Sequence, residues 1–402
     1  MTKERKILIL ALVLGLLVRF AALWFLDSKN FLYNDERFYF QLAKSLSAGM
    51  GLFIVNHFTA KVTPMYPLFL SIPLHFCWSL TCARVFQILF ILPGVLLIYR
   101  LSKVIFHSEK VAAWTALVYS VYPPIVYISL LLYPQFILSL IILLALNLVI
   151  DTYRTRREDF WQYLLFGIIF GIGVLTVPTF IAFFIVSFAF LFFRVANRAK
   201  FALWVVLGFL LVWSPWVVRN YDRFGVFIPL STGGGEVLVA ANHPDATPSS
   251  YVPLSSKPWI NEMGKYLRMD EIERNRELSR LGFRYLFERK LFGIPFILAK
   301  FANFFRPYPK PITEVSMPDW FYKLIYALCW IPVFIFGVLG IFRMRKSREV
   351  ILILSCIIVF AFIYAIYLTR VRYRMPIEPL FLMFAVGWLL ERFGVVKLSE
   401  AI

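Results

Sequence analysis

The chain has 402 residues, of which 60% are hydrophobic and 16% charged, and its formal net charge is +19. Soluble domains carry about a quarter charged residues, so this composition excludes a soluble globular fold and makes lipid the solvent. The positive charge does not point to nucleic acid, because Lys and Arg cluster between apolar runs, the pattern that orients membrane proteins.

Lys3, Arg5 and Lys6 precede an apolar stretch over residues 7–26 that lacks a small-residue cleavage site, which predicts an uncleaved first span rather than a signal peptide. Further apolar runs lie at 83–105, 111–131, 134–150, 160–175, 177–193, 201–218, 320–342, 349–368 and 376–391. The expected fold is an all-α polytopic bundle of about ten transmembrane helices. With a cytoplasmic N-terminus, the short cytoplasmic connections hold Arg100, Lys103 and Lys110; Arg154, Arg156 and Arg157; Arg194, Arg198 and Lys200; and Arg343, Arg345, Lys346 and Arg348. Each is basic, as orientation requires, and Arg392 and Lys397 put the C-terminus on the same side.

The segment Tyr66–Leu80 is apolar but short and holds Pro67 and Pro73, so it is predicted to dip into the interface without crossing. The whole chain, 1–402, is thus read as one polytopic domain of the inner or plasma membrane. Two long extracytoplasmic connections, 27–82 and 219–319, are where water-borne chemistry can occur. The second is a cap with a turn-rich part from Asn242 to Lys257 and a charged helical pattern from about Asp270 to Lys290. Of four cysteines, Cys329 and Cys356 lie inside apolar runs, and only Cys77 and Cys82 are spaced for a local disulfide.

In the first connection Asn34 is positioned to cap a helix with apolar residues Phe38, Tyr39, Leu42, Ala43 and Leu46, ended by Gly49 and Gly51. This helix is expected on the membrane surface, with Asp35 on its apolar, membrane-facing side. Asp35 and Glu36 either complement the helix dipole or supply a carboxylate base at the lipid boundary. Arg370, Arg372 and Arg374 break the orientation rule obeyed by every other short connection, which suggests an anionic partner such as a lipid phosphate. Arg19, two turns from the outer end of the first span, is either functional or snorkelling. Lys61 precedes a rigid Thr63-Pro64-Met65-Tyr66-Pro67 entry to the dipping segment. Gly233–Gly235 reads as a turn or a close approach of backbone to substrate. His57 and His243 lack a spaced carboxylate set, so no metal site is assigned.

Several stretches together resemble the GT-C glycosyltransferases, in particular the bacterial relatives of protein O-mannosyltransferases and of the aminoarabinose transferase acting on lipid A. The resemblance rests on Asn34-Asp35-Glu36-Arg37-Phe38-Tyr39 with Gly49-Met50-Gly51, on Lys61 to Leu70, on Trp213 to Asn242 and on Arg372 to Pro379, in that order. This chain departs from the pattern at Tyr133-Pro134-Gln135, where many relatives have a Ser-Glu pair, and at Leu175-Thr176-Val177-Pro178.

The resemblance implies a sugar donor on polyprenyl phosphate, an acceptor glycan, lipid or protein outside the cytoplasm, and inversion at the anomeric carbon. No cofactor is required, although a divalent metal is compatible. Asp35 is expected to be the base, with Glu36 as substitute. Lys61, Arg372, Arg374 and Arg19 are expected to bind the donor phosphate, and Tyr66, Arg219, Asn220 and Asn242 to bind substrate. The rival readings are a lipid-linked-sugar flippase or transporter, which should carry paired charges or broken helices near mid-membrane, and a polysaccharide ligase or polymerase.

Overall fold

A computed structural model of the chain describes residues 2–25, 30–55, 57–156, 158–256, 259, 264–266, 268–308 and 319–397. Each of the ten apolar runs is helical. They form α1 (Lys3–Phe25), α4 and α5 (Leu80–Leu89 and Ile91–Phe106), α6 and α7 (Glu109–Val121 and Pro123–Leu130), α8 (Pro134–Thr155), α9 (Phe160–Thr176), α10 (Ile181–Phe192) and α11 (Arg198–Phe224). Later in the chain come α15 (Asp319–Arg343), α16 (Arg348–Ile366) and α18 (Glu378–Arg392).

The expected ten spans are not all long enough. Among the described residues, six stretches can cross a membrane by length and composition, or seven if α6 and α7 count as one span with a 51° break. Helices α9, α10 and α18 have 17, 12 and 15 residues, short of the roughly 20 that cross a hydrocarbon core perpendicularly. The break at α6–α7 has a local cause. Tyr122 precedes Pro123, and a residue before proline is pushed out of the helical region; its φ and ψ are −63° and 115°.

Lipid offers no hydrophobic drive for helices to associate, so close backbone approach has to hold them. Gly167 on α9 and Gly208 on α11 face each other's partner backbone, and a Cβ on either would overlap Val205 O or Leu164 O. On α15, Gly337 and Gly340 stand in the same relation to Phe381 O and Phe384 O of α18.

Ion pairs sort the helix ends into two layers. Arg100–Asp151, Lys103–Glu109, Arg154–Glu349 and Arg343–Glu391 join the C-terminal ends of α5, α8, α15 and α18 to the N-terminal ends of α6 and α16. These are the ends carrying the basic connections.

The opposite layer holds α2 (Asn34–Ser47), a two-stranded hairpin of Phe53–Ile54 and His57–Phe58, α3 (Met65–Phe76) and the cap. The cap comprises α12 (Gly234–Asn242), α13 (Glu271–Glu288) and α14 (Ile294–Phe304). Helix α3 has 12 residues and is too short to span, as its prolines suggest. Helix α13 begins where Asp270 Oδ1 accepts from the Ile272 and Glu273 N–H groups, at 2.9 and 2.8 Å. A short helical turn, α17 (Val371–Arg374), connects α16 to α18.

Candidate active site

Helix α2 starts one residue earlier in its capping than Asn34 suggests. Tyr33 is the N-cap, and Glu36 reaches back to accept from the Tyr33 and Leu32 N–H groups at 3.2 and 2.8 Å. Glu36 also accepts from Leu132 N–H at 2.9 Å and pairs with Arg84 Nη2 at 3.3 Å. Both side chains of that pair are fully buried. Glu36 therefore ties α2, α4 and the α7–α8 junction together.

Asp35 differs. Its side chain is 54% exposed, and its Oδ2 lies 3.0 Å from Arg372 Nη1 on α17. The expectation that its helix face meets lipid is corrected. Leu42 is buried, Tyr39 packs edge-on against Tyr66 at 5.1 Å, and Phe38 belongs to the cluster around Trp216, so this face packs on protein. Asp35 points along that face into the space before α17.

Arg372 lies over the rings of Tyr133 and Tyr373, with centroids at 4.8 and 5.1 Å, and donates to Tyr373 Oη at 3.2 Å. Tyr373 in turn stacks on Tyr364 at 4.8 Å. Burial disfavours the Arg372 charge, but Tyr373, Tyr133 and Asp35 outweigh it and raise its pKa above the ordinary arginine value, so the guanidinium stays charged. Burial also opposes ionisation of Tyr373, yet the Arg372 and Arg370 guanidiniums bring its phenol below the usual value. Arg370 sits over Tyr251 of the cap at 4.5 Å. The Nε groups of Arg370 and Arg372 are buried without a hydrogen-bond partner among the described residues.

The remaining site candidates fall elsewhere. Arg374 is fully buried, paired with Glu378 at 2.9 Å, stacked on Trp330 at 3.8 Å and bonded to Arg306 O. Glu378 also accepts from Tyr122 Oη at 3.0 Å. The alternation that groups Arg374 with Arg372 is lost because residues 371–374 are helical, which turns Arg374 inward. Arg19, also fully buried, donates to Gly15 O, Ser120 O and Ser129 Oγ at 2.8, 2.7 and 3.0 Å, fastening α1 to α6 and α7. These bonds tie α1 to its neighbours. Lys61 is paired with Glu236 of α12 at 2.7 Å, and Glu236 also faces Arg274 at 3.6 Å, so this cation joins the first connection to the cap.

The four expected substrate ligands all bond to protein groups. Tyr66 is buried and donates to Gln87 Oε1 at 2.8 Å. Arg219 donates to Thr59 O, Leu52 O and Asn220 Oδ1, bracing the hairpin, while Asn220 Nδ2 reaches Ile228 O at 3.1 Å. Asn242 donates to Leu238 O and Ile366 O and accepts from Lys300 Nζ at 2.9 Å. Among the described residues no three His, Cys, Asp or Glu side chains converge as a metal site. His57 lies on the hairpin and His243 against Trp259 in the cap.

Sequence reasoning missed Arg84, Gln87, Glu236 and Tyr373. Arg84 was legible: it stands inside the apolar run 83–105, where an ionisable residue needs a partner.

A family model described as dolichyl-phosphate-mannose-protein mannosyltransferase matches residues 61–218. No curated protein matches the chain. Among solved structures, the apo oligosaccharyltransferase of Archaeoglobus fulgidus is similar over 99% of this chain and 51% of its own, with 15% identity and a TM-score of 0.58. The same archaeal enzyme, AglB, in complex with an inhibitory peptide and a dolichol-phosphate gives 99%, 52%, 15% and 0.56. ArnT from Cupriavidus metallidurans bound to undecaprenyl phosphate gives 95%, 77%, 13% and a TM-score of 0.48. The chain thus spans about half the length of the archaeal structures, whose likeness is one of fold. Over residues 61–218, the part that the family model covers, the chain is similar to the dolichyl-phosphate-mannose-protein mannosyltransferase family.

Proposed function

We propose that this protein is an inverting glycosyltransferase that moves a sugar from a polyprenyl-phosphate donor to an envelope or secreted acceptor on the extracytoplasmic face of the inner or plasma membrane. The observation that carries the proposal is the contact between the half-exposed Asp35 and Arg372, in the helix-end layer opposite the basic connections. The family match and the fold support it.

In a single displacement the acceptor oxygen attacks the anomeric carbon as the bond to the phosphate oxygen breaks. Asp35 takes the acceptor proton, and the bonding pair leaves on the phosphate. A phosphate monoester has a second pKa of about 6, so it departs without a general acid if cations meet its growing charge. Base and leaving group lie on opposite faces of the sugar, so the Arg372 Nη1 edge that holds Asp35 is not the edge for phosphate. The unpartnered Nε groups of Arg372 and Arg370 are the donors assigned to it. This reading revises the expected phosphate set: Arg372 stays, Arg370 joins it, and Arg374, Arg19 and Lys61 hold the framework.

One feature favours a lipid-linked-sugar flippase, the break between α6 and α7. The buried ion pairs, however, involve the second turn of α4 and the first turn of α18, at helix ends rather than mid-span. The discriminating experiment supplies purified protein with a synthetic lipid-linked sugar and an envelope extract, and follows free polyprenyl phosphate. A transferase releases it; sugar that crosses a sealed vesicle wall with its linkage intact indicates the flippase.

A further inference from the structure

We infer that Cys77 and Cys82 form a disulfide that clasps the corner between α3 and α4. Two groups bring them together. The Cys77 N–H donates to Pro73 O at 3.0 Å, and Cys82 Sγ approaches the same carbonyl at 4.0 Å. Ser79 Oγ accepts from the Cys82 N–H at 3.1 Å and lies 3.3 Å from Cys77 Sγ. Cys77 is exposed and Cys82 half-buried, so an oxidant can reach the pair, whereas Cys356 is buried within α16. Hydrogen bonds from Ser79 and then from Cys82 bring the Cys77 thiol below its ordinary pKa, which suits it to react first.

The oxidant is an external disulfide. The Cys77 thiolate attacks one of its sulfurs, releasing one thiol and forming a mixed disulfide, and the Cys82 thiolate then attacks the Cys77 sulfur and releases the second thiol. The protein gains one S–S bond and gives up two electrons and two protons, which the external disulfide takes up as it leaves as two thiols.

The corner supports α2. Lys44 of α2 sits over Trp78 at 5.2 Å, Tyr66 of α3 holds Gln87 of α4, and Arg84 of α4 holds Glu36 beside Asp35. A cross-link here fixes the platform from which Asp35 projects. The inference rests on the extracytoplasmic placement proposed above, because that is the side where disulfides persist.

The test treats intact cells with a membrane-impermeant maleimide, with and without a prior impermeant reductant, and then purifies the full chain for peptide mass analysis. The expected result is a peptide containing both cysteines that is two hydrogen atoms lighter than the dithiol and takes label only after reduction. Labelling of both thiols without reductant would overturn the disulfide while leaving the placement intact. Reduced thiols in purified protein that never took label in cells would overturn the placement itself. As a second readout, reductant should lower the melting temperature of the wild type and leave Cys77→Ser and Cys82→Ser unchanged; equal shifts in all three would contradict the clasp.

Discussion

Asp35 and Glu36 are adjacent in the first turn of α2, yet the Asp35 side chain is 54% exposed beside Arg372 while Glu36 is fully enclosed against Arg84. One helical step of rotation separates a carboxylate available to a substrate from one fixed in the framework.

Glu36→Gln is expected to destabilise the protein by about 3 to 5 kcal/mol, because it leaves the buried Arg84 charge uncompensated. Adding Arg84→Met should restore much of that loss, since removing both charges of a buried pair is often nearly neutral. Thermal unfolding in detergent measures both. A Glu36→Gln protein as stable as wild type but inactive would instead make Glu36 catalytic.

Arg372 and Arg374 should separate cleanly. Arg372→Ala is expected to keep the fold and slow transfer a hundredfold or more, the effect of losing a contact worth about 3 to 4 kcal/mol in the transition state. Arg374→Ala removes the partner of buried Glu378 and should appear first as lost stability, about 3 to 5 kcal/mol. Equal loss of turnover with unchanged melting in both variants would return Arg374 to the site.

The cap carries a pH-dependent contact. Lys300 on α14 is buried, donates to Asn242 Oδ1 and Tyr367 O, and is lowered by burial and then by Arg289 from 10.5 to about 7. Between these values the unfolded chain holds the extra proton, so this group makes stability rise with pH above about 7 and contributes no slope below it. The melting temperature of Lys300→Met should therefore rise less between pH 7 and 9 than that of the wild type. Parallel profiles would remove Lys300 as the cause.

Reporter fusions after Ser45 and Lys265 should appear outside the cell, and fusions after Thr155 and Lys346 inside. The structure puts Thr155 and Lys346 in the layer of basic connections and Ser45 in the opposite one. A cytoplasmic Ser45 would remove Asp35 from the extracytoplasmic face.

Every long apolar run was legible as a helix, because burial in lipid leaves so strong a compositional mark. Span count was less so: composition does not reveal that α6 bends at Tyr122 or that α10 has only 12 residues. Of the residues singled out in the sequence, Asp35 and Arg372 meet as an ion pair, a contact across more than 300 residues that no local pattern could show. Arg219 and Asn220 bond loop carbonyls and each other, and Asn242 bonds Ile366 O at the end of α16, contacts that leave no local periodicity. The inward direction of Arg374 was not legible, because alternate spacing suits an extended strand while residues 371–374 form a helical turn.

The most direct test is sugar transfer by purified wild type and Asp35→Asn with a synthetic polyprenyl-phosphate sugar and an envelope extract. An exposed first-turn carboxylate contributes only about 0.3 to 1 kcal/mol of helix stability, so the variant should fold like the wild type. The predicted result is release of polyprenyl phosphate and a product of inverted anomeric configuration with wild type, and neither with Asp35→Asn. Full turnover in the folded Asp35→Asn protein, or sugar moved without any change of linkage, would contradict the account.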